Sequence, residues 1–407
     1  MLVGVWTSFL SEGKMSSHQA SAQMLGYLYQ VRCALALLLS ADSEQTAVCM
    51  EKFDDIAFSD DGSSPIELIQ LKHHINGHGD LSDSSVDLWR TLNVWMDAVA
   101  DGVYPETRYL IITTSSAPEG SVASALKTGG EDCAALYERL KKTATLAAQK
   151  TNTKFYEKFL KTAPEKIQRI LTNISILDGS TNIIDVVDSI KKSIRYAAQA
   201  KYIDRVFERV EGWWFKKSIE ALISKEPVFI SQSEVRLLIC DIAAQYTPDN
   251  LPTDAEPLLK DEVLALPITD RMFCKQLKLI SIGKKRMEIC IGDFFRASTQ
   301  RSRWVQDDLL CIDELDRYEG KLVDEWQHRF ARMQDELDED DENTKRIAGR
   351  KLFSEIEDRD IRIRIHCADA FIMRGSYHIL SNNLKVGWHP DYEHCLQVSA
   401  PSEEELK

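Results

Sequence analysis

The 407-residue sequence has no run of eighteen consecutive apolar residues, so it offers no membrane-spanning helix. It also lacks the G-x-x-x-x-G-K-[ST], H-E-x-x-H and G-x-S-x-G motifs. No sequence motif therefore supports a P-loop ATPase, zinc protease or serine hydrolase function. The first fifteen residues are mildly apolar but have neither a basic start nor an A-x-A cleavage pattern. We therefore expect a cytoplasmic protein without a signal peptide.

No two of the nine cysteines are spaced as C-x-x-C. An odd number of scattered cysteines predicts reduced thiols rather than a disulfide framework or a zinc site. His73, His74 and His78 lie close together, but no Cys or His pair at ligand spacing accompanies them. They are typical of a loop near a DNA or metal site or of surface histidines, and a catalytic base role for His73 is the alternative.

Positive charge is in the minority, with 50 Lys and Arg against 64 Asp and Glu and a formal net charge of -14. A DNA-binding domain that works alone is usually basic. If this chain acts on DNA, either its basic surface is local or a partner supplies much of the affinity. The remaining alternative is that it does not act on DNA.

The order of the predicted elements indicates the fold class. Helix, strand, strand, helix, strand, helices, strand and helix predict an α/β domain with a mixed sheet flanked by helices. The chain is too long for one ordinary core, and five of its eleven prolines lie between Pro227 and Pro267, which indicates a boundary there. The predicted division is a tail (1–19), an α/β domain (20–225), a linker and helix (226–260), a C-terminal domain (261–400) and a second tail (401–407).

Two apolar periodicities predict helices. Apolar residues recur every three or four positions from Leu315 to Leu337, which predicts one long helix in a mainly helical C-terminal domain. The earlier helix has its apolar side formed by Leu88, Leu92, Trp95, Met96 and Val99.

A short hairpin carries the candidate chemistry. The segments TAVCMEKFDDIAF and PIELIQLKHH are predicted to be two strands joined by the turn SDDGSS. Side chains alternate across a strand, so Gln70 and Lys72 share a face, while Glu51 and Asp55 share a face of the other strand and Asp54 takes the opposite one. Pairing would put one acid beside Gln70 and Lys72. Burying such charges is costly unless they pair or bind an ion.

Magnesium chemistry fits this combination. Carboxylate and amide oxygens are ligands for Mg²⁺, a hard ion that keeps several waters. A neighbouring lysine can assist the attacking water or stabilise charge on a phosphate, while the metal lowers the pKa of the water. The pattern therefore favours metal-dependent cleavage of phosphodiesters.

The arrangement of an Asp, a hairpin and Q-x-K resembles the PD-(D/E)XK nuclease superfamily, in the variant where Gln replaces the second acid. The ordered segments GYLYQ, EKFDDIAF, IQLKHH, DLWRTLNVW and EGWW are similar to the endonuclease domain of CD-NTase-associated anti-phage effectors, over roughly residues 20–220. The resemblance implies a restriction-endonuclease-like sheet and a Mg²⁺ site, with Mn²⁺ as a substitute. The residues that it implies as metal ligands are Asp55, Gln70 and Asp54.

The same resemblance assigns the remaining catalytic roles. It implies that Lys72 assists the water and the phosphate, and that Glu51 or Asp54 compensates for the charge missing at Gln70. Gln30 stands where a helix of the superfamily often supplies Glu.

The stretch from residue 292 to residue 330 resembles the C-terminal domain of ABC-three-component proteins of Lamassu-type defence systems. That resemblance implies an SMC/Rad50-like ATPase partner and a third, smaller subunit. It also implies inhibition within the complex until foreign or aberrant DNA ends are sensed, and then release and self-association to cut double-stranded DNA.

Simpler interpretations stand beside these. Asp54 and Asp55 could be exposed edge residues and Lys72 a lysine whose stem covers apolar surface. Trp213 and Trp214 are more typical of core or interface anchors than of base-stacking residues. We interpret Arg301, Arg303 and Trp304 as contacts within the domain or to a partner. The functional alternative is a degenerate nuclease fold that serves as an assembly adaptor.

Overall fold

The computed structural model describes residues 17–62, 64–72, 80–100, 107–128, 132–146, 149–180, 183–256, 270–337 and 341–397. The chain forms two compact units, with the division between Ala243 and Ala244. That division falls inside the interval 226–260. Among the helices of the described residues, none combines the length and the apolar character needed to cross a membrane.

The first unit is built on a six-stranded sheet. Its strands are β1 (Ala47–Met50), β2 (Ile56–Ser59), β3 (Glu67–Lys72), β4 (Arg108–Thr113), β5 (Ile174–Leu177) and β6 (Ile230–Ser231). The spatial order is β5-β4-β3-β2-β1-β6, with β3, β4 and β5 parallel and the other neighbours antiparallel. The predicted mixed sheet flanked by helices is therefore confirmed.

Nine helices of the described residues accompany this sheet. They are α1 (Ser17–Leu39), α2 (Val86–Ala100), α3 (Val122–Thr128), α4 (Cys133–Thr145), α5 (Thr153–Lys161), α6 (Pro164–Thr172), α7 (Ile183–Ile194), α8 (Ile203–Ile223) and α9 (Gln232–Ala244).

Helices α2 to α6 cover one face of the sheet. The apolar side predicted for α2 is buried at Leu88, Leu92, Trp95 and Met96. These residues share one core with Leu68 of β3 and with buried residues of α3 to α6. Because side chains alternate along a strand, the neighbours of Leu68 point to the opposite face. Helices α1 and α8 pack against β1.

One predicted strand is in fact two. The segment from Thr46 to Phe58 forms β1 and β2, which pair antiparallel from Met50 opposite Ile56 outward, with a five-residue turn (residues 51–55) between them. The alternation expected for Glu51 and Asp55 along a single strand is therefore wrong. The segment has an apolar pattern without Gly or Pro, so it carries no ordinary turn signal.

Residues after 225 also contribute to the sheet. Ile230 of β6 pairs with Val48 of β1. The side chain of Gln232 donates hydrogen bonds to the carbonyls of Leu38 and Ala41, at the end of α1. Strand β6 and helix α9 therefore belong to the first unit.

The described elements of the second unit are all helices. They are α10 (Met272–Leu279), α11 (Lys284–Gln306), α12 (Glu314–Asp335), α13 (Glu342–Glu357), α14 (Ala370–Asn382) and α15 (Tyr392–Gln397). The long helix predicted from Leu315 to Leu337 corresponds to α12, which buries Tyr318, Leu322, Trp326 and Met333. The prediction of a mainly helical C-terminal part is confirmed.

His378 of α14 lies in the core of the second unit. Its ring centroid is 5.5 Å from that of Phe273 and 6.0 Å from that of Phe353. Neither ring nitrogen has a hydrogen-bond partner among the described residues. Burial, with the Arg374 charge adding to it, lowers the pKa of His378 to about 3.

We expect His378 to make the second unit sensitive to acid. Its folded-state pKa lies below the usual value of about 6.5, so the stability is complete above pH 6.5 and is lost as the pH falls. At pH 5 this loss is about 2 kcal/mol. Denaturant unfolding at pH 7.5 and pH 5 should show a loss that is about 2 kcal/mol smaller in His378→Phe than in the wild type, because the buried His389, whose pKa burial also lowers, stays in both proteins. A change at the exposed His366 (His366→Gln) should keep the wild-type loss, and equal pH dependence of all three proteins would contradict the expectation.

Candidate active site at the turn between the first two strands

The turn of residues 51–55 adopts an uncommon backbone conformation. Glu51 has a φ of 56°, in the left-handed region that costs a residue other than glycine of the order of 1–2 kcal/mol. Its N–H donates to the carbonyl of Asp55 at 3.2 Å and closes the turn. Such conformations persist only where the surrounding structure fixes them.

Two contacts tie this turn to the segment after α8. The Lys52 ammonium donates to the carbonyl of Ser224 at 2.6 Å. The ring of Phe53 lies 6.1 Å from the ring of Phe229, measured between centroids. The middle of the turn is thereby held in place from one side.

Asp55 points towards β3. Asp55 immediately precedes β2, and its Oδ2 accepts the N–H of Leu71, near the end of β3, at 2.7 Å. The ladder of β2 and β3 ends at Ile56 opposite Ile69, so the carboxylate of Asp55 extends the hydrogen bonding by one step. The carboxylate of Asp55 is therefore hydrogen-bonded to the main chain of β3 at Leu71, between Gln70 and Lys72. Its Oδ1 makes no hydrogen bond to a described residue.

Asp54 points towards α2 instead. Its Oδ2 accepts the indole N–H of Trp95 at 2.6 Å, and its Oδ1 accepts the N–H of Asp55 at 2.9 Å. Burial raises the pKa of Asp54 to about 7, and the nearby Asp55 charge adds to this, whereas the hydrogen bonds and the Lys72 charge act in the opposite direction. Both oxygens of Asp54 are thus engaged in positioning the turn.

On β3, across from Asp55, Gln70 supplies an amide group and Lys72 supplies an ammonium group. They lie on the same face of β3 as Leu68, because side chains repeat with period two. The side chain of Gln70 is only 5% exposed. Among the described residues, neither its amide nor the half-buried Lys72 ammonium has a hydrogen-bond or ion-pair partner.

The carboxyl group of Glu51 interacts electrostatically with Asp55 and Lys72. Partial removal of water from its carboxyl raises the pKa of Glu51, the Asp55 charge raises it further, and the Lys72 charge lowers it. The pKa of Tyr27 on α1 is raised by burial and by the Glu51 charge. The buried hydroxyl of Tyr27 has no hydrogen-bond partner among the described residues. Tyr27 and Trp95 are thus neighbours of the site that sequence reasoning missed.

The site offers only part of the oxygen donor set that Mg²⁺ requires. Within the described ranges, no group of three or more His, Cys, Asp or Glu could hold a metal. Mg²⁺ is commonly held by one or two carboxylates and otherwise by water and substrate oxygens. The Oδ1 of Asp55 and the amide oxygen of Gln70 fit that requirement, whereas Asp54 would first have to release its partners. Gln30 makes no side-chain hydrogen bond to any described residue.

The other residues singled out from the sequence lie elsewhere. His73, His74 and His78 fall outside the described residues. Trp214 is buried and donates to the carbonyl of Val31 at 2.7 Å, so the core interpretation is confirmed for this residue.

Contacts within the second unit account for the basic cluster at residues 301–304. Arg301 pairs with Glu319, and Arg303 lies 3.0 Å from Asp254. Trp304 is buried and donates to the carbonyl of Pro252. The interpretation as contacts within the domain is confirmed.

The second unit matches a known domain family. Residues 273–396 match the C-terminal domain 7 of the ABC-three component (ABC-3C) systems. The match supports membership of this chain in an ABC-three-component system, as the stretch 292–330 predicted. No curated protein matches the chain.

Two solved structures show weak similarity. The Acinetobacter baumannii Cap4 SAVED/CARF-domain containing receptor with the cyclic trinucleotide 2'3'3'-cAAA is 12% identical, with a TM-score of 0.31, and the match covers 68% of this chain and 64% of that chain. The Moraxella osloensis Cap4 SAVED/CARF-domain containing receptor is 13% identical, with a TM-score of 0.30 and 68% coverage of both chains. Similarity at this level establishes neither the fold nor the function of this chain.

Proposed function

We propose that this chain is a metal-dependent double-stranded DNA endonuclease, acting as the nuclease subunit of a Lamassu-type ABC-three-component defence system. One observation carries the proposal. The carboxylate of Asp55 is fixed on β3 between Gln70 and Lys72, whose side-chain polar groups have no partner among the described residues. The sequence resemblance to the PD-(D/E)XK superfamily supplies the proposed reaction for this arrangement, metal-dependent cleavage of phosphodiesters. It also supplies the proposed restriction-endonuclease-like fold.

Each residue has a defined part in the proposed hydrolysis. A bound Mg²⁺, or Mn²⁺ in its place, would lower the pKa of a coordinated water and neutralise charge on the phosphate. Asp55 and Gln70 would hold the ion through their oxygens. Lys72 would stabilise negative charge on the phosphate as the water oxygen bonds to phosphorus and one ester bond breaks. Asp54 would act as a positioning residue through the N–H of Asp55.

The resemblance of the second unit supplies the proposed partners. An SMC/Rad50-like ATPase would grip DNA and hold this chain inactive, together with a third, smaller subunit. Release and self-association would follow the sensing of aberrant DNA ends. Partner subunits are consistent with the match to a domain of ABC-three-component systems.

The second candidate function is a non-catalytic adaptor. It is favoured by Gln70, which leaves the site one carboxylate short, and by Asp54, whose oxygens are both engaged. In that case the first unit would keep the fold and the second unit would assemble the complex.

Cleavage of a supercoiled plasmid tests the metal dependence. The full chain would be incubated alone and with its candidate partner subunits, with Mg²⁺, with Mn²⁺ and with EDTA. We expect cutting only with metal, and a loss of about 100-fold or more in Asp55→Asn, which keeps an acceptor for Leu71 but removes the charge. The exposed Asp60 of the next turn provides the control Asp60→Asn, which should cut normally. Undiminished cutting by Asp55→Asn would refute the assigned site.

A further inference from the structure

Basic residues are concentrated in one segment of this acidic chain. Residues 133–172, which form α4, α5 and α6, contain nine Lys and Arg and only three Glu. The segment therefore carries a charge of +6, and the remainder of the chain carries -20. A local surface of the opposite sign is a physical basis for attracting a polyanion to an otherwise acidic protein.

The fold turns these charges to solvent. The apolar sides of the three helices are buried in the core that covers the sheet. The basic side chains that remain exposed and form no ion pair with any described residue are Lys142, Lys150, Lys154, Lys161 and Lys166. Lys154 and Lys161 are seven residues apart and so lie on one side of α5. These five residues define what we call the α4–α6 basic surface.

This surface belongs to the helical layer on the active-site face of the sheet. Gln70 and Lys72 point to the face that α2 to α6 cover, since they lie at even spacing from Leu68 of that core. Lys158 of α5 lies 2.5 Å from Asp97 of α2. Trp95, two residues before Asp97, donates the hydrogen bond that holds Asp54.

A second connection runs through α6. Burial raises the pKa of Tyr109 on β4, the charge of Arg169 on α6 lowers it, and the charge of Asp54 raises it, so both charges act on one phenol. The ring of Tyr109 lies 4.9 Å from that of Trp95, measured between centroids. Helices α5 and α6 pack against α2, which carries Trp95, and α4 packs against α5 and α6.

We infer that the α4–α6 basic surface binds the phosphate backbone of double-stranded DNA and delivers it to the site at Asp55. The inference rests on the proposed nuclease function for the choice of polyanion. Lysines on a surface without base-reading groups bind phosphates irrespective of sequence. The net charge of -14 is then compatible with DNA binding, because the basic surface is local.

Salt-dependent DNA binding tests this inference independently of cleavage. The probe is a 30-base-pair duplex of arbitrary sequence, bound by the full chain in a Lys72→Ala background with EDTA. The test variant adds Lys154→Gln, Lys161→Gln and Lys166→Gln. The matched control adds Lys192→Gln, Lys216→Gln and Lys225→Gln, which remove three exposed lysines of the same unit that likewise form no ion pair with a described residue.

We expect the test variant to bind more weakly for every sequence of duplex. The slope of log affinity against log salt should become shallower by about 0.9 for each phosphate that the variant no longer neutralises, up to about 3 in total. The control should keep the parent slope. Equal losses in both variants, no loss in either, or no duplex binding by the parent at 50 mM salt would each overturn the inference. Preference for duplex RNA with the same dependence on these lysines would also overturn it.

The outcomes separate the two claims. The protein with Lys72 intact could cleave DNA normally while the test variant binds DNA as well as its parent does. That result would support the nuclease function and refute the role of the α4–α6 basic surface. Weaker binding by the test variant, together with no cleavage in any assembly, would keep the surface and remove the nuclease.

Discussion

A Lys72→Ala variant is expected to lose protection against phage in cells that carry the complete system. The ammonium of Lys72 makes no hydrogen bond or ion pair with a described residue, so its removal breaks no such contact within the described fold. Its proposed role is to stabilise charge that develops on the phosphate. Removing one such group typically costs about 100- to 1,000-fold in rate. Plating efficiency measures protection, and co-purification of the other subunits measures assembly.

The adaptor hypothesis makes the opposite forecast for this variant. An adaptor would protect equally well with alanine at position 72, provided that the complex still assembles. Lys225→Ala serves as the control, since Lys225 is exposed and lies outside the site. Lost protection with normal assembly would exclude the adaptor, and full protection would exclude the proposed role of Lys72.

Gly375→Ala is expected to destabilise the second unit. An added Cβ at Gly375 on α14 would collide with the main-chain oxygen of Asp293 and with the Cβ of Ala297, both on α11. The two helices would have to move apart, and such overpacking typically costs about 1–3 kcal/mol. Arg374 pairs with the carboxylate of Asp293 at 2.8 Å at the same crossing, so the shift would strain this ion pair too.

Gly320 offers a matched control on α12. A Cβ added at Gly320 meets no atom within 4 Å, and the position is exposed. Gly320→Ala should therefore stabilise the protein by about 0.5–1 kcal/mol through helix propensity. Denaturant unfolding of both variants measures the difference. Equal stability of Gly375→Ala and Gly320→Ala would contradict the close crossing of α11 and α14.

Regular periodicity was the most informative feature of the sequence. The spacing of Leu88, Leu92, Trp95 and Met96 predicted the buried side of α2. Residues at this spacing lie on one side of an α-helix, which has 3.6 residues per turn. The mixed sheet followed from the order of elements. The close approach at Gly375 could not be predicted, because it depends on which helix α14 crosses.

The turn of residues 51–55 shows where sequence reasoning failed. Glu51 takes a left-handed conformation without being Gly or Asn, so a single strand was predicted across it. The alternation rule therefore did not apply to Glu51 and Asp55. Tertiary contacts determine the directions of Asp54 and Asp55: the indole of Trp95 takes Asp54, and the N–H of Leu71 takes Asp55.

The juxtaposition of Asp55 with Gln70 and Lys72 was nevertheless accessible from the sequence. Two strands joined by a short turn must pair, so an acid before β2 comes to lie beside the end of β3. The position of Tyr27 beside the site could not be predicted, since nothing in the sequence indicates that α1 passes close to Glu51.

The most direct test of the central claim is the single-turnover rate of duplex DNA cleavage with Mg²⁺. Wild type and Lys72→Ala would be purified identically, alone and with the partner subunits, and each would also be measured with EDTA. The proposed site predicts metal-dependent cleavage by the wild type and a rate at least about 100-fold lower in the variant. Equal rates in the two proteins, or no metal-dependent cleavage by the wild type in any assembly, would contradict it.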